Sequence, residues 1–231
     1  MTDSTLCVIG ARGGSKGVPG KNVRPIAGTT LIGITVDQAL RVFGSVVVST
    51  DDDQIAAVAR EHGAMVPFTR PGHLATDDAP KIPVLRHAAD WVEGEKGQRF
   101  DLVVDLSCTT PLRSDDDIAG AIELFHASGD IDNVISICSS AGNPFFNQVL
   151  MTDDGAIRLV MKADDPPSSR QAAPPVYIIN GAVYVWRRDA LATGDRVVRE
   201  RSVGYVMPSE RSLDIDTELD FKLAQLILES H

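Results

Sequence analysis

Between Gly10 and Asn22 the chain reads GARGGSKGVPGKN: five glycines and a proline threaded with Arg12, Lys16 and Lys21, directly after the apolar run Leu6–Ile9. Glycine lets backbone approach a ligand closely and adopt positive φ, so its amides can line an anion. Cations spaced through the same loop add charge where an extended phosphate, such as a triphosphate, would lie. A solvated basic loop whose glycines serve turns is the plainer alternative. Neither known phosphate-loop pattern fits: no Gly is followed by Lys-Ser or Lys-Thr, and glycines at 10, 13, 14, 17 and 20 do not make GxGxxG. Far along the chain, residues 212–221 read SLDIDTELDF. In an extended segment Asp214 and Asp216 share one face, with Cα atoms about 6.5–7 Å apart, while Leu213 and Ile215 take the other. Two such acids can hold a magnesium ion that bridges phosphates. Alternatively Asp216 or Thr217 caps the following helix, a reading that leaves Asp214 unexplained.

Other acids have simpler explanations. Asp51–Asp53 and Asp115–Asp117 each precede a helical pattern and suit its first turn. Asp105, at the end of an apolar run, is a weaker candidate for facing a ligand. The histidines form no constellation, and His73 reads as a loop residue. Cys7, Cys108 and Cys138 are far apart in apolar runs, which fits neither a disulfide framework nor a zinc site.

The elements that must position these residues follow from patterning. Apolar β-branched runs predict strands at 6–10, 45–50, 65–69, 101–107 and 133–139. Helical patterns lie near 30–43, 52–63, 80–93 and 115–128, the last with Ser114 as N-cap. The runs SVVVST and DLVVDLS are nearly continuous, as in parallel strands buried on both faces. The alternation predicts an α/β, Rossmann-like, mostly parallel twisted sheet with helices on both faces. The glycine-rich loop then falls beyond a strand's carboxyl end, where such sheets bind ligands. After about residue 140 the pattern changes. A polar, proline-bearing loop at 163–175 leads to VYIINGAVYVW, where Asn180-Gly181 between β-rich runs signals a hairpin. A short strand at 202–207 and a helix from about 217, with Leu219, Leu223, Leu226 and Ile227 as its apolar face, end the chain.

The 231 residues are 43% hydrophobic, enough for a sizeable core. No apolar run is long enough to span a membrane, and no basic-then-apolar leader opens the chain. A reducing, cytoplasmic compartment is therefore expected. Net charge is −10, yet no acid occurs between Ser4 and Val36, where Arg12, Lys16, Lys21 and Arg24 lie. Basic charge gathered at one place in an acidic chain favours a small anionic ligand and argues against nucleic acid.

ARGGSKGVPGKN resembles the signature of the acylneuraminate cytidylyltransferases, the CMP-sialic acid synthetase family that activates nonulosonic acids. Their pattern, close to A-R-x-x-S-K-G-x-P-x-K-N, is met at Ala11, Arg12, Ser15, Lys16, Gly17, Pro19, Lys21 and Asn22. VVSTDDDQIAAVAREHGA (47–64), RPGHLATDDAP (70–80), TTPLRSDDDI (109–118) and SLDIDTELDF resemble further family stretches. The resemblance implies one nucleotidyltransferase domain over 1–231, with about 140–190 as a small β-rich dimerisation and acceptor-binding subdomain of a homodimer. It implies that Gly10, Ala11, Arg12, Gly13, Ser15, Lys16, Lys21 and Asn22 wrap the phosphates of CTP, and that Lys21 acts at the α-phosphate. It places Arg70, Thr76, Asp77 and Ala79 near base and ribose, and Mg2+ on Asp214 and Asp216. It makes Arg12, Lys21 and Asp216 catalytic.

On the acceptor side the resemblance implies Ser107, Thr109, Arg170, Gln171, Asn180 and Gly181 as contacts; Arg170 would meet the sugar carboxylate and can reach the partner's site, or is an ordinary surface arginine. Here the chain departs from the sialic acid enzymes. SCTTPLR puts Ser107 where they carry Gln and Cys108 where they carry Pro. GNPFFNQV offers Phe146 in place of a lysine, and NPFFN looks more like the relatives that activate legionaminic acid. The implied activity is CTP plus a nonulosonic acid giving a CMP-sugar and pyrophosphate. Alternatives are a nucleotidyltransferase for KDO or a sugar 1-phosphate, and a nucleotide-binding module without turnover.

Overall fold

The computed structural model describes residues 4–162, 167, 169 and 171–230. Strand β1 (Thr5–Gly10) leads through the glycine-rich loop to a ribbon of β2 (Pro25–Ile26) and β3 (Thr29–Thr30), then α1 (Leu31–Val42). Next come β4 (Val46–Ser49), α2 (Asp53–Glu61), α3 (Lys81–Lys96), β5 (Leu102–Leu106), α4 (Asp115–Ala127) and β6 (Asn133–Ser139). A small antiparallel pair, β7 (Val149–Met151) and β8 (Ile157–Leu159), precedes β9 (Tyr177–Arg187), α5 (Arg188–Ala192), β10 (Ser202–Val206) and α6 (Glu218–Glu229).

The central sheet has six strands in the order β10-β6-β9-β5-β1-β4, all parallel except β9, which is antiparallel to both neighbours. Leu6, Cys7, Val8 and Ile9 are fully buried, as a strand covered on both faces requires. Ile82, Leu85, Ala88, Ala89 and Val92 of α3 pack on one face, against Val8, Val103, Tyr184 and Trp186. Residues of α1, α4 and α6 cover the other face. The predicted Rossmann-like sheet with helices on both faces is the one observed. Cys7, Cys108 and Cys138 are buried free thiols. No helix among the described residues is long and apolar enough to cross a membrane.

Three expectations are corrected. The predicted strand at 65–69 reduces to a single parallel bridge, Val47 to Met65. Asn180-Gly181 makes no hairpin; β9 runs on through it. With a ladder partner on each side the strand has nowhere to turn, and the positive φ of Gly181 (72°) goes into a register shift against β6, between Ile135 and Ile137. β9 therefore belongs to the central sheet and the core. The apolar face of α6 also differs: Phe221 and Ala224 are buried, with Leu228 packed beside them, while Leu219, Leu223 and Leu226 are exposed.

Helix α4 begins with the expected Ser114 cap, and Asp117 completes a capping box. The Asp117 carboxylate is 1% exposed and accepts from Ser114 N (2.8 Å), Ser114 Oγ (2.9 Å) and both Nε and Nη2 of Arg211 (2.8 Å each). This joins α4 to the segment that carries Asp214 and Asp216. Burial alone would raise the Asp117 pKa; the bonds from Arg211 and Ser114 outweigh it and hold the carboxyl below its ordinary value. We expect Asp117→Ala to lose about 2–3 kcal/mol at neutral pH, from a cap and a charge-assisted pair together. A depressed folded pKa contributes stability above the unfolded carboxyl value of roughly 4, and loses it as pH falls through the folded value. Urea titrations should therefore show the gap between variant and wild type closing on acidification.

Candidate active site

A cleft of about 400 Å³ opens beyond the carboxyl ends of β1 and β5. From the glycine-rich loop Gly10, Arg12, Ser15, Lys16, Gly17, Lys21 and Asn22 line it. Ala11 and Gly13 support that loop without lining the cleft: Ala11 N donates to Ser49 O at 3.1 Å and Gly13 N to Asp51 Oδ1 at 3.2 Å. Asn22 is buried and its Nδ2 donates to Arg12 O at 3.1 Å, folding the loop back on itself. The glycines serve close approach more than unusual φ, since of the five only Gly20 is positive. A Cβ on Gly17 would lie 2.1 Å from the carbonyl oxygen of Asp216, and one on Gly13 would lie 2.4 Å from Asp52 Oδ2. Asp52 caps α2 through Gln54 N and Ile55 N, as expected of that acid cluster.

The close contact at Gly17 brings the two stretches together. Lys21 Nζ donates to Ile215 O and stands 3.6 Å from Asp216 Oδ1. Residues 212–216 form no ladder strand but alternate as expected, with Ile215 fully buried and Asp214 and Asp216 exposed. Ile215 N donates to Thr109 O at 2.8 Å, fixing the segment to the turn after β5. The cap of α6 is Thr217, with Asp220 completing its capping box, so the Asp216 side chain is not needed there. Asp214 is raised above the usual carboxylate range. Desolvation by the surrounding chain leads although the side chain keeps an exposed edge, Asp216 adds repulsion, and Thr109 with the charges of Lys21 and Lys81 opposes them. Among the described residues no three His, Cys, Asp or Glu side chains are gathered for a metal. Two carboxylates and a nearby phosphate site suit a hard divalent cation that completes its shell with water and substrate oxygens.

Arg70, Thr76, Asp77 and Ala79 line the opposite wall, with Leu74, Val84 and Leu85 supplying apolar surface beside them. Arg70 is buried and donates from Nε to Ser49 Oγ (3.0 Å) and from Nη2 to Ser49 O. Burial pulls its pKa down against the charges of Asp51 and Asp105. Asp77 pairs with both Lys16 and Arg12, whose hydrogen bonds hold its carboxyl below the ordinary value. A phosphate entering the loop therefore competes with Asp77 for these cations.

Ser107 and Thr109 line the cleft and bond each other, Oγ to Oγ1, at 2.9 Å. Their turn is held from beneath by Arg113, which is buried and whose Nη1 donates to Ser107 O, Thr110 O and Ala182 O. Without a bonded carboxylate, burial pushes the Arg113 pKa down to about 10, against the pull of Cys108 and Cys7. Gln171, Asn180 and Gly181 do not line the cleft. Asn180 is 4% exposed, and its amide accepts from Ser136 Oγ and Ala182 N and donates to Ser212 Oγ. Its polar atoms are spent stitching the β9 irregularity, and Gly181 shapes that irregularity. Gln171 is exposed away from the lining, and Arg170 lies outside the described residues.

Lys81 escaped the sequence reading. It opens α3, lines the cleft and pairs with Asp105 at 2.5 Å. The signal was Asp105 itself: an acid at the end of a doubly covered strand needs a cation, and Lys81 begins the apolar helix that follows the 70–80 loop.

Comparison with known proteins agrees with this geometry. The family model described as Cytidylyltransferase matches residues 6–198. The chain is 38% identical over 225 residues to the CMP-N,N'-diacetyllegionaminic acid synthase of Campylobacter jejuni, spanning 96% of this chain and 94% of that one. It is 37% identical over 225 residues to the post-translational flagellin modification protein B of Campylobacter coli, with the same coverage. Identity to the N-acylneuraminate cytidylyltransferase of Streptococcus agalactiae is 33% over 221 residues, 94% of this chain and 51% of that one. Among solved structures, a CMP:2-keto-3-deoxy-manno-octonic acid synthetase complexed with CTP superposes with a TM-score of 0.72 at 17% identity, covering 99% of this chain and 100% of that one. A Mycobacterium tuberculosis protein crystallised with manganese shares the fold with a TM-score of 0.57 at 14% identity, covering 96% and 98%. The glycine-rich loop, the acidic segment it packs against and the matched length give one answer: the chain belongs to the cytidylyltransferase family.

Proposed function

We propose that this cytidylyltransferase joins CTP to a nonulosonic acid of the sialic or legionaminic type, giving a CMP-sugar and pyrophosphate. The observation that carries the reading is the junction of Lys21 with Ile215 and Asp216, which sets Asp216 beside the loop cations in one cleft, with Asp214 two residues away. In the reaction the anomeric oxygen forms a bond to the α-phosphorus, the bond from that phosphorus to the α–β bridging oxygen breaks with its electron pair leaving on pyrophosphate, and the hydroxyl proton passes to solvent. Little covalent work falls to the protein; positioning and charge neutralisation carry the step. Arg12 and Lys16 neutralise oxygens that gain charge as pyrophosphate leaves, and Lys21 meets the α-phosphate. Gly10, Ser15 and Asn22 shape the phosphate loop. Arg70, Thr76, Asp77 and Ala79, beside Leu74 and Val84, hold the base and ribose. Asp214 and Asp216 would hold Mg2+, which when bound supplies positive charge to phosphate oxygens. Ser107 and Thr109 face the acceptor.

Two further points rest on the family and agree with the surface. Val149, Leu150, Met151, Ile157 and Ile178 expose apolar side chains on and beside the β7–β8 ribbon, a concentration that marks an interaction surface. By the family resemblance, Arg170 of one subunit of such a homodimer would reach the partner's cleft. Three buried free thiols suit the reducing cytoplasm.

Pyrophosphate release with CTP and Mg2+ against N-acetylneuraminic acid, legionaminic acid, pseudaminic acid, KDO and a sugar 1-phosphate tests the reading. Release with a nine-carbon acid is expected; release only with the sugar phosphate would assign the alternative reaction. Lys21→Ala should lower kcat by roughly 10²–10³-fold, the usual loss for a donor to transition-state charge, with an unchanged circular dichroism spectrum. Near-normal turnover would remove Lys21 from the mechanism. Gly17→Ala, whose Cβ would overlap the Asp216 carbonyl, should lose turnover for the different reason that it parts the loop from the acidic segment. Met151→Glu with Ile157→Glu should convert a dimer to monomers by light scattering and reduce turnover; an unchanged mass would place the interface elsewhere.

A further inference from the structure

The floor of the cleft holds a charged group that the reaction above leaves unused. Lys81 places Nζ 2.5 Å from Asp105 Oδ2 on β5 and 4.5 Å from the ring centroid of Tyr184 on β9. Asp105 and Tyr184 are direct register partners, so their side chains leave the sheet on one face, the face that α3 covers. Asp105 is 3% exposed, whereas the Lys81 side chain is 34% exposed and lines the cleft. An ammonium has three donor hydrogens, and the bond to Asp105 occupies one of them. Burial draws the Lys81 pKa down, but Asp105, Tyr184 and Asp214 outweigh it, so the group stands above the ordinary lysine value and is charged throughout the neutral range.

Its position separates two kinds of ligand. The glycine-rich loop follows β1, and the Arg70 wall is tied to the end of β4 through Arg70 N to Thr50 O. Lys81 instead reaches over β5 towards β9, on the flank where Ser107 and Thr109 follow β5 and where Ile215, between the two acids, donates its N–H to Thr109 O. A carboxylated acceptor brought to that flank meets the charges of Asp214 and Asp216 at short range and is repelled unless a cation stands with them. Among the described residues Lys21 stands beside Asp216, and Lys81 is the cation held over β5 and β9, kept in place by the Asp105 carboxylate and the Tyr184 ring.

We infer that Lys81, fixed by Asp105 and Tyr184, binds the carboxylate of the acceptor and selects acid sugars; this rests on the acid-sugar reading above. A lysine that served only as the counter-ion of Asp105 would give the same static contacts, and kinetics separate the two roles. With the acid that the wild type turns over, Lys81→Met should raise its KM roughly 10–100-fold and leave the KM for CTP within about threefold, the loss of one charge-assisted bond. Lys81→Arg, which keeps the charge, should recover part of the loss. The double variant Lys81→Met, Asp105→Asn removes the stranded carboxylate charge together with the ammonium. It should keep the raised acceptor KM, and it carries the comparison should Lys81→Met alone fail to fold. Restoration of the acceptor KM in the double variant would reduce Lys81 to a counter-ion and overturn the inference, as would a rise confined to the KM for CTP. Failure of the acid-sugar reading shows earlier and separately, as wild-type enzyme that releases pyrophosphate with none of the acids, and overturns both.

Discussion

The molecule depends on one junction, where the end of the glycine-rich loop meets the chain just before α6. Lys21 and Ile215 are 194 residues apart in sequence, yet the ammonium of one donates to the carbonyl of the other and neighbours the Asp216 carboxylate. Gly17 is pressed on the carbonyl of Asp216 so closely that no side chain fits between them. Everything that makes the cleft a site follows. The loop cations acquire acids opposite them, and the acids are turned outward by the burial of Ile215 between them. The bond from Ile215 to Thr109 then brings the turn after β5 into the same wall.

That junction gathers both signs of charge into a small space, and the fold manages them by pairing. Asp77 sits between Lys16 and Arg12, Lys21 beside Asp216, and Lys81 on Asp105. Exposed pairs of this kind contribute little to stability. Their consequence lies in exchange: a ligand phosphate can replace Asp77 at the loop without leaving any cation unsatisfied. Lys81 and Asp105 differ, because Asp105 is nearly inaccessible and cannot be released to water without a large desolvation cost. The pairs at the loop are exchangeable, whereas the pair at the floor is a fixed part of the wall.

Much of this was legible in the sequence where the signal is local. Periodicity gave the parallel strands and their helices, and spacing put Asp214 and Asp216 on one face. The Ser114 cap followed from a single residue before an acidic first turn. Asn180-Gly181 misled because the turn propensity of that pair is conditional on a free edge. Between β5 and β6 the same left-handed glycine makes a bulge, and the amide that would have faced a ligand satisfies buried polar groups instead. The stripe on α6 misled likewise: Leu219, Leu223 and Leu226 keep helical spacing, but Phe221 and Ala224 reach the sheet. Which of two apolar stripes is buried depends on how the helix is rolled, and that is set by its cap and by the segment before it. Lys81 was signalled only indirectly, by an acid on a strand 24 residues further on that needs a cation.

The two halves of the cleft are consequently built to different tolerances. In the proposed reaction the nucleotide half is made from the loop after β1 and the segment between α2 and α3, each tied to the backbone that ends β4: Ala11 to Ser49, Arg70 to Ser49 and Thr50. Changes there would act on groups common to any nucleotide. The half proposed for the acceptor would rest on side chains drawn from β5, β9 and the start of α3, with short hydroxyls at Ser107 and Thr109 that satisfy each other. A hydroxyl pair satisfied internally imposes no penalty on an acceptor that fails to bond it, whereas a buried unpaired amide would cost about 1–3 kcal/mol. On the proposed reading the wall is therefore tolerant of different ring substituents, and discrimination falls to the fixed charge on that flank.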